Sequence, residues 1–364
     1  MKLFLRPFQL TSLLLLVLSG GSFLVSAADE QQCANEGNDP DTCQGGNEKE
    51  EGIATDTELV FAPLGEPADS VVSSTGIRLA VRRWIPETTP KAVVLFHHGG
   101  VGWHSGYAKS MGEYMSSQGI ALIAYDQIGS GYSDGIVYKD KQLRNYFDSM
   151  DTIANDFTKL MLEARQEFPS TKVFAMGESF GATVLLHQIL IEQNSAGKRV
   201  ADGYIFTGPV VKLLPEMLPP SVVLMIIHFL ANYFPMLTMP GSDFFSTFDL
   251  AFGDKRWAKA GRADPIIQEA ATLPPKLGMI SSCLMSIANT NENLSEIKVP
   301  FHIWMGEHEG RVDTEAVKKL AEVADSKDKG ITIVPDAFHQ LFQDMPNVTQ
   351  GVFESVKDWI MARV

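Results

Sequence analysis

The sequence predicts an α/β protein built on a mostly parallel central sheet covered by helices on both faces. Three observations carry that prediction. Apolar, β-branched runs bounded by turn residues recur along the chain, helical-period stretches lie between them, and the alternation breaks only once, between Phe206 and Val299. With 364 residues, 45% hydrophobic and 20% charged, the chain is long and apolar enough to bury a large core. In order, strands are expected at Gly76–Trp84, Ala92–Phe96, Ile120–Tyr125, Lys172–Met176, Tyr204–Phe206, Phe301–Trp304 and Ile331–Val334. Helices are expected at Ser105–Ser117, Leu143–Phe168, Gly181–Gln193, Val312–Ala324 and Val352–Ala362. No internal repeat is visible.

The break, about residues 208–296, is rich in proline and holds the apolar piece Val222–Ala231. That piece is too short to span a bilayer and is interrupted by His228, Asn232 and Pro235. It reads as a helical cap inserted over the sheet, with a plain buried core helix as the competing reading.

The N-terminus has a different character. Lys2 and Arg6 precede the apolar run Leu10–Leu18, and Val25-Ser26-Ala27 follows, which is the pattern of a secretory signal peptide over residues 1–27. A membrane anchor is the alternative, although the run is shorter than the roughly 20 residues a span requires. Residues 28–55 are polar and acidic and read as a flexible linker, leaving residues 56–364 for the folded domain. Between positions 28 and 58 ten acids stand against Lys49 alone, so most of the net charge of -14 belongs to this stretch. The rest of the chain is also acidic, which excludes a nucleic-acid partner in practice. A secretory or extracellular location would suit pairing of Cys33 with Cys43, leaving Cys283 over, and glycans on Asn293 and Asn347.

The chemistry is concentrated in a few short segments. Gly177-Glu178-Ser179-Phe180-Gly181 follows one predicted strand and opens a helix, the context of a nucleophile elbow with Ser179 exposed at the turn. A serine hydroxyl needs a base, and His339, in the loop after the last strand, stands where that base belongs. The third member should follow Phe301–Trp304. Glu309 lies three residues after Gly306, and Asp313 is the alternative. An oxyanion hole is expected from the backbone N–H groups of Gly100, after His97-His98-Gly99, and of Phe180. Metal ligation by His97, His98 and His104 is a competing reading, disfavoured because no acidic ligand stands beside them.

With these parts placed, the chain resembles the monoacylglycerol lipase family of α/β-hydrolases, in particular its plant-type lysophospholipase and caffeoylshikimate esterase branch. The resemblance runs from about Glu58 to Val364 through His98-Gly99-Gly100, His104-Ser105-Gly106-Tyr107, Tyr125-Asp126-Gln127-Ile128-Gly129-Ser130-Gly131-Tyr132-Ser133 and Glu216-Met217-Leu218-Pro219-Pro220. It departs from the family in three places. One more residue lies between His98 and His104, Glu178 stands where the family usually has His, and the triad acid is Glu rather than Asp. The resemblance implies an α/β-hydrolase fold and hydrolysis of carboxylic esters with one acyl chain, most of all monoacylglycerol or lysophospholipid but also small aryl esters, by Ser179, His339 and Glu309 through an acyl-enzyme. It implies no cofactor and a small-molecule ester or lipid as partner, with peripheral membrane contact through the cap. The second reading is a non-catalytic, receptor-like hydrolase fold that binds a small apolar ligand.

Overall fold

The computed structural model describes residues 61, 63–100, 102–194, 200–214, 218–239 and 248–364. The expected leader at 1–27, the acidic stretch at 28–55 and the Cys33–Cys43 pair lie outside them. Among the described residues the main sheet has eight strands in the order β1-β2-β4-β3-β7-β8-β9-β10. These are β1 (Asp69–Val72), β2 (Arg78–Trp84), β3 (Ala92–His97), β4 (Ile120–Tyr125), β7 (Lys172–Glu178), β8 (Gly203–Thr207), β9 (Phe301–Gly306) and β10 (Lys329–Val334). Strands β4, β3, β7, β8, β9 and β10 run parallel, while β1 pairs antiparallel with β2 and β2 antiparallel with β4. A short hairpin, β5 (Val137–Tyr138) with β6 (Lys141–Gln142), stands apart.

The central strands are apolar along their whole length because both faces are covered. Along β3 and β7, Val93, Leu95, Val173 and Ala175 face one cluster, while Val94, Phe96, Phe174 and Met176 face the other. The first cluster is closed by α2 (Met150–Glu167), α3 (Phe180–Asn194) and α8 (Thr314–Val323). The second is closed by α1 (Lys109–Ser117) and α9 (Pro346–Met361). On α9 the buried side chains Val348, Val352, Val356, Trp359 and Ile360 form one helical stripe, and burying an aliphatic side chain of that size contributes about 1.5–3 kcal/mol.

Several helix starts are later than the periodicity suggests, for a local reason. Ser149 accepts the Thr152 N–H and starts α2 there rather than at Leu143. Ser105–Ala108 form a 3₁₀ turn before α1. Between β8 and β9 the chain forms α4 (Ser221–Tyr233), α5 (Lys255–Ala263), α6 (Pro265–Thr272) and α7 (Leu277–Glu292). Asp254 and Asp264 cap α5 and α6 through the N–H groups of Arg256 and Ile266. The apolar piece Val222–Ala231 is the body of α4, which packs on α7 through Ile227, Ala231 and Leu277. Its other face is open, and Val222, Met225, Phe229 and Tyr233 are exposed. The reading of this piece as a plain buried core helix therefore fails.

Candidate active site

Ser179 sits between β7 and α3 with φ +51°. A non-glycine residue is strained there, and the strain is the signature of an elbow that pushes its side chain out of the turn. The Ser179 N–H donates to the Thr207 carbonyl of β8 at 2.7 Å and locks the turn to its neighbour. Gly181 is required by space, since a Cβ there would stand 2.3 Å from the His97 carbonyl oxygen.

The loops after β9 and β10 bring the other two predicted residues to the elbow. His339 Nε2 lies 2.8 Å from Ser179 Oγ, and His339 Nδ1 lies 2.7 Å from Glu309 Oε2. The remaining Glu309 oxygen, Oε1, accepts the Arg311 N–H at 2.6 Å, so both ends of the carboxylate are held. Burial alone would raise the Glu309 carboxyl, but the His339 ring beside it and the backbone N–H groups of Arg311 and Val312 keep it below the usual range. It is therefore an anion at neutral pH, suited to hold the imidazole in one tautomer and to stabilise its charged form. Close approach of the imidazole is possible because residue 208 is glycine. A Cβ on Gly208 would stand 2.9 Å from His339 Cε1.

Asp313, the alternative acid, has other partners. Its carboxylate accepts the Ala316 N–H at 3.1 Å as the cap of α8 and pairs with Lys212 at 3.1 Å. Of the two oxyanion donors expected, Phe180 opens α3, where the first N–H groups of a helix have no partner within it. Gly100 has φ +51° and lines the same cavity as Ser179 and His339.

The imidazoles of His97, His98 and His104 do not converge. His97 Nδ1 faces the His98 carbonyl at 3.0 Å, His98 Nε2 accepts the Gln127 N–H at 3.2 Å, and His104 Nε2 meets Asp264 at 2.8 Å. The metal reading on these three has no geometry behind it. Among the described residues, Glu307, His308 and Asp336 do bring ligand atoms within 4.8 Å of one another, all three on the exposed surface.

The cavity over Ser179 has a volume of about 280 Å³. Trp103, Val210, Leu213, Phe248, Phe252 and Val312 give it a largely apolar wall, with Arg311 and Gln340 as polar points. Helix α4 is not among the lining. The aromatic wall was not singled out in the sequence, although Phe248 and Phe252 stand four apart and Trp103 sits in the predicted oxyanion turn. The cap is tied to this region by a buried contact. Asp264 accepts from Tyr107 Oη at 3.0 Å and faces His104 at 2.8 Å.

Comparison with known proteins identifies the family and the fold. The model of the Hydrolase_4 family (serine aminopeptidase, S33) matches residues 88–346. Human monoglyceride lipase is 25% identical over 293 residues, covering 80% of this chain and 90% of that one. Caffeoylshikimate esterase of Arabidopsis thaliana is 25% identical over 255 residues, covering 68% and 71% of the two chains. A solved soluble variant of monoglyceride lipase from Saccharomyces cerevisiae, in complex with a substrate analog, superposes with a TM-score of 0.67 at 20% identity over 83% of this chain and 96% of that one. The chain belongs to the Hydrolase_4 family, in its monoacylglycerol lipase-like group of α/β-hydrolases, and is a carboxylic ester hydrolase.

Proposed function

We propose that Ser179 is the nucleophile, His339 the general base and Glu309 the orienting acid in hydrolysis of esters with one acyl chain, monoacylglycerols or lysophospholipids, through an acyl-enzyme. One observation carries the reading. A single imidazole bridges a strained serine and a buried carboxylate at 2.8 and 2.7 Å, at the base of an apolar cavity. In the first half-reaction His339 Nε2 takes the hydroxyl proton as Ser179 Oγ attacks the ester carbonyl, and the N–H groups of Gly100 and Phe180 face the oxygen that becomes negative. His339 then returns the proton to the leaving alcohol, and water, activated by the same ring, releases the acid. An apolar wall with few polar points suits a single alkyl chain. The name of the human relative, a monoglyceride lipase, favours monoacylglycerols, whereas that of the plant relative points to an aryl ester.

The exposed face of α4 supports a second part of the reading, peripheral contact with lipid surfaces that hold such substrates. Val222, Met225, Phe229 and Tyr233 recur at helical spacing on one open face, and an uncharged apolar stripe of this kind is better covered by acyl chains than by water. Among the described residues no helix is long and apolar enough to cross a membrane.

A panel of monoacylglycerols, lysophospholipids, short p-nitrophenyl esters and a prolyl p-nitroanilide tests the substrate class. Turnover of the monoacyl lipids and esters, absent in Ser179→Ala, is expected. Amide cleavage without ester cleavage would reverse the assignment, and no turnover by a folded protein would favour the receptor-like reading.

A further inference from the structure

We propose that Glu178, the residue before the nucleophile, is a positioning residue whose stem backs the oxyanion turn and whose carboxyl group must stay uncharged for full turnover. The inference rests on the reading of Ser179, His339 and Glu309 as a triad.

Glu178 ends β7, fully buried, and neither of its carboxyl oxygens has a hydrogen-bond partner among the described residues. Its register partner on β8, Thr207, is buried with its hydroxyl equally unpartnered. Gly99 lies against both Glu178 and the nucleophile. A Cβ on Gly99 would stand 3.3 Å from the Glu178 carbonyl oxygen, 3.5 Å from Glu178 Cγ and 3.3 Å from Ser179 Cβ. The stem of Glu178 thus supports the turn whose next residue, Gly100, is an oxyanion donor. Any charge on its carboxyl group would lie next to the reacting centre.

The titratable groups around this end of the sheet offer Glu178 no counter-ion. His97 and His98, on β3 and its turn, are both held uncharged at neutral pH by burial, His97 down to about 3. His98 donates Nδ1–H to the Gly99 carbonyl at 2.8 Å and so fixes the other side of the turn. Asp126, beyond His98, accepts the N–H groups of Ser105 and Tyr132. Glu309 and His339 are bonded to each other, and Arg311 is drawn to Glu309. An isolated carboxylate is costly in such a place. Burial pushes Glu178 up to about 8, and the nearby Gly99 N–H offsets only part of that rise without completing a hydrogen bond.

Below about 8 the group is a neutral acid and places no charge beside the turn. Above it, an anion beside the turn opposes the negative charge that must develop on the substrate carbonyl, in a medium where Coulomb repulsion is weakly screened. Turnover should therefore fall as pH rises through that value, while His339 governs the acidic side.

The test is kcat between about pH 6 and pH 10 on a soluble p-nitrophenyl ester, with Ser179→Ala as the blank for spontaneous hydrolysis. Wild type should lose at least about threefold in kcat above a midpoint near 8, whereas Glu178→Gln, always neutral, should stay within about twofold of its own value at neutral pH. The same alkaline limb in Glu178→Gln, or a flat wild-type profile, overturns the inference. Glu178→Met is the second variant should Gln prevent folding, with the same flat profile expected. If neither folds, infrared difference spectra of wild type decide. A protonated carboxylic acid band that disappears in parallel with kcat supports the inference, and its absence overturns it. Activity surviving in Ser179→Ala would remove the triad reading itself, and this inference with it.

Discussion

Of the carboxylates after β9, Glu309 and Asp313 are the two candidates for the partner of His339 by sequence, and the structure gives them different partners. Glu309 meets the imidazole at 2.7 Å, whereas Asp313 caps α8 and pairs with Lys212. Glu309→Gln should lower turnover by roughly 10²–10⁴ with substrate binding nearly intact, because the amide can no longer hold the imidazole tautomer or balance its charge. Asp313→Asn should leave turnover within about threefold and cost no more than about 1 kcal/mol of stability, since Asn also caps helices. Steady-state kinetics with thermal unfolding of both variants checks this, and the reverse ranking would make Asp313 the acid. That Ser179, His339 and Glu309 come together was legible in the sequence, because a nucleophile elbow and its partners would constrain their neighbours. A sharp elbow needs glycines, and acid and base must hang from particular strand ends. The pairing of His104 with Asp264 was not legible, since residues 160 apart leave no local pattern. Nor was the isolation of Glu178, which depends on what the fold fails to place beside it.

Among the elements, the parallel strands were the easiest to read, because a strand buried on both faces must be apolar throughout. β1 and the β5–β6 hairpin were missed for the opposite reason. Their residues are mostly exposed and the runs are only two to four residues long, too short for a pattern. The insertion between β8 and β9 was read as a helical cap from its prolines and lost alternation. Its pocket lining was not foreseen, because the most apolar piece turned out to face outward. Met225 and Phe229 on α4 are 64% and 60% exposed, and α4 does not line the cavity. Replacing both with Asp should weaken vesicle binding at least about tenfold, since each such side chain buried in an acyl layer contributes about 1.5–3 kcal/mol. Turnover of a soluble short ester should remain within about twofold, because the site is untouched. Vesicle co-sedimentation beside the ester assay separates the two effects. Equal losses in both would show that α4 supports the fold of the cap rather than a lipid contact.

At the scale of the whole molecule, a sheet with helices on both faces aligns the carboxyl ends of the neighbouring parallel strands β7, β8, β9 and β10. That convergence sets one serine, one imidazole and one carboxylate in a line from segments up to 160 residues apart. The cap adds Leu213, Phe248, Ala251 and Phe252 to the wall and is fixed to the core through Asp264. Catalysis by the line as a unit requires that Ser179 be far more nucleophilic than an ordinary surface serine, and that His339 be the cause. The direct measurement is labelling with a serine-directed phosphonate, followed by peptide mass spectrometry of wild type, Ser179→Ala and His339→Ala. One adduct is expected, on the peptide holding Ser179, absent in Ser179→Ala and formed at least about 10²-fold more slowly in His339→Ala. An adduct on another serine, or labelling of Ser179 at an unchanged rate without His339, would contradict it.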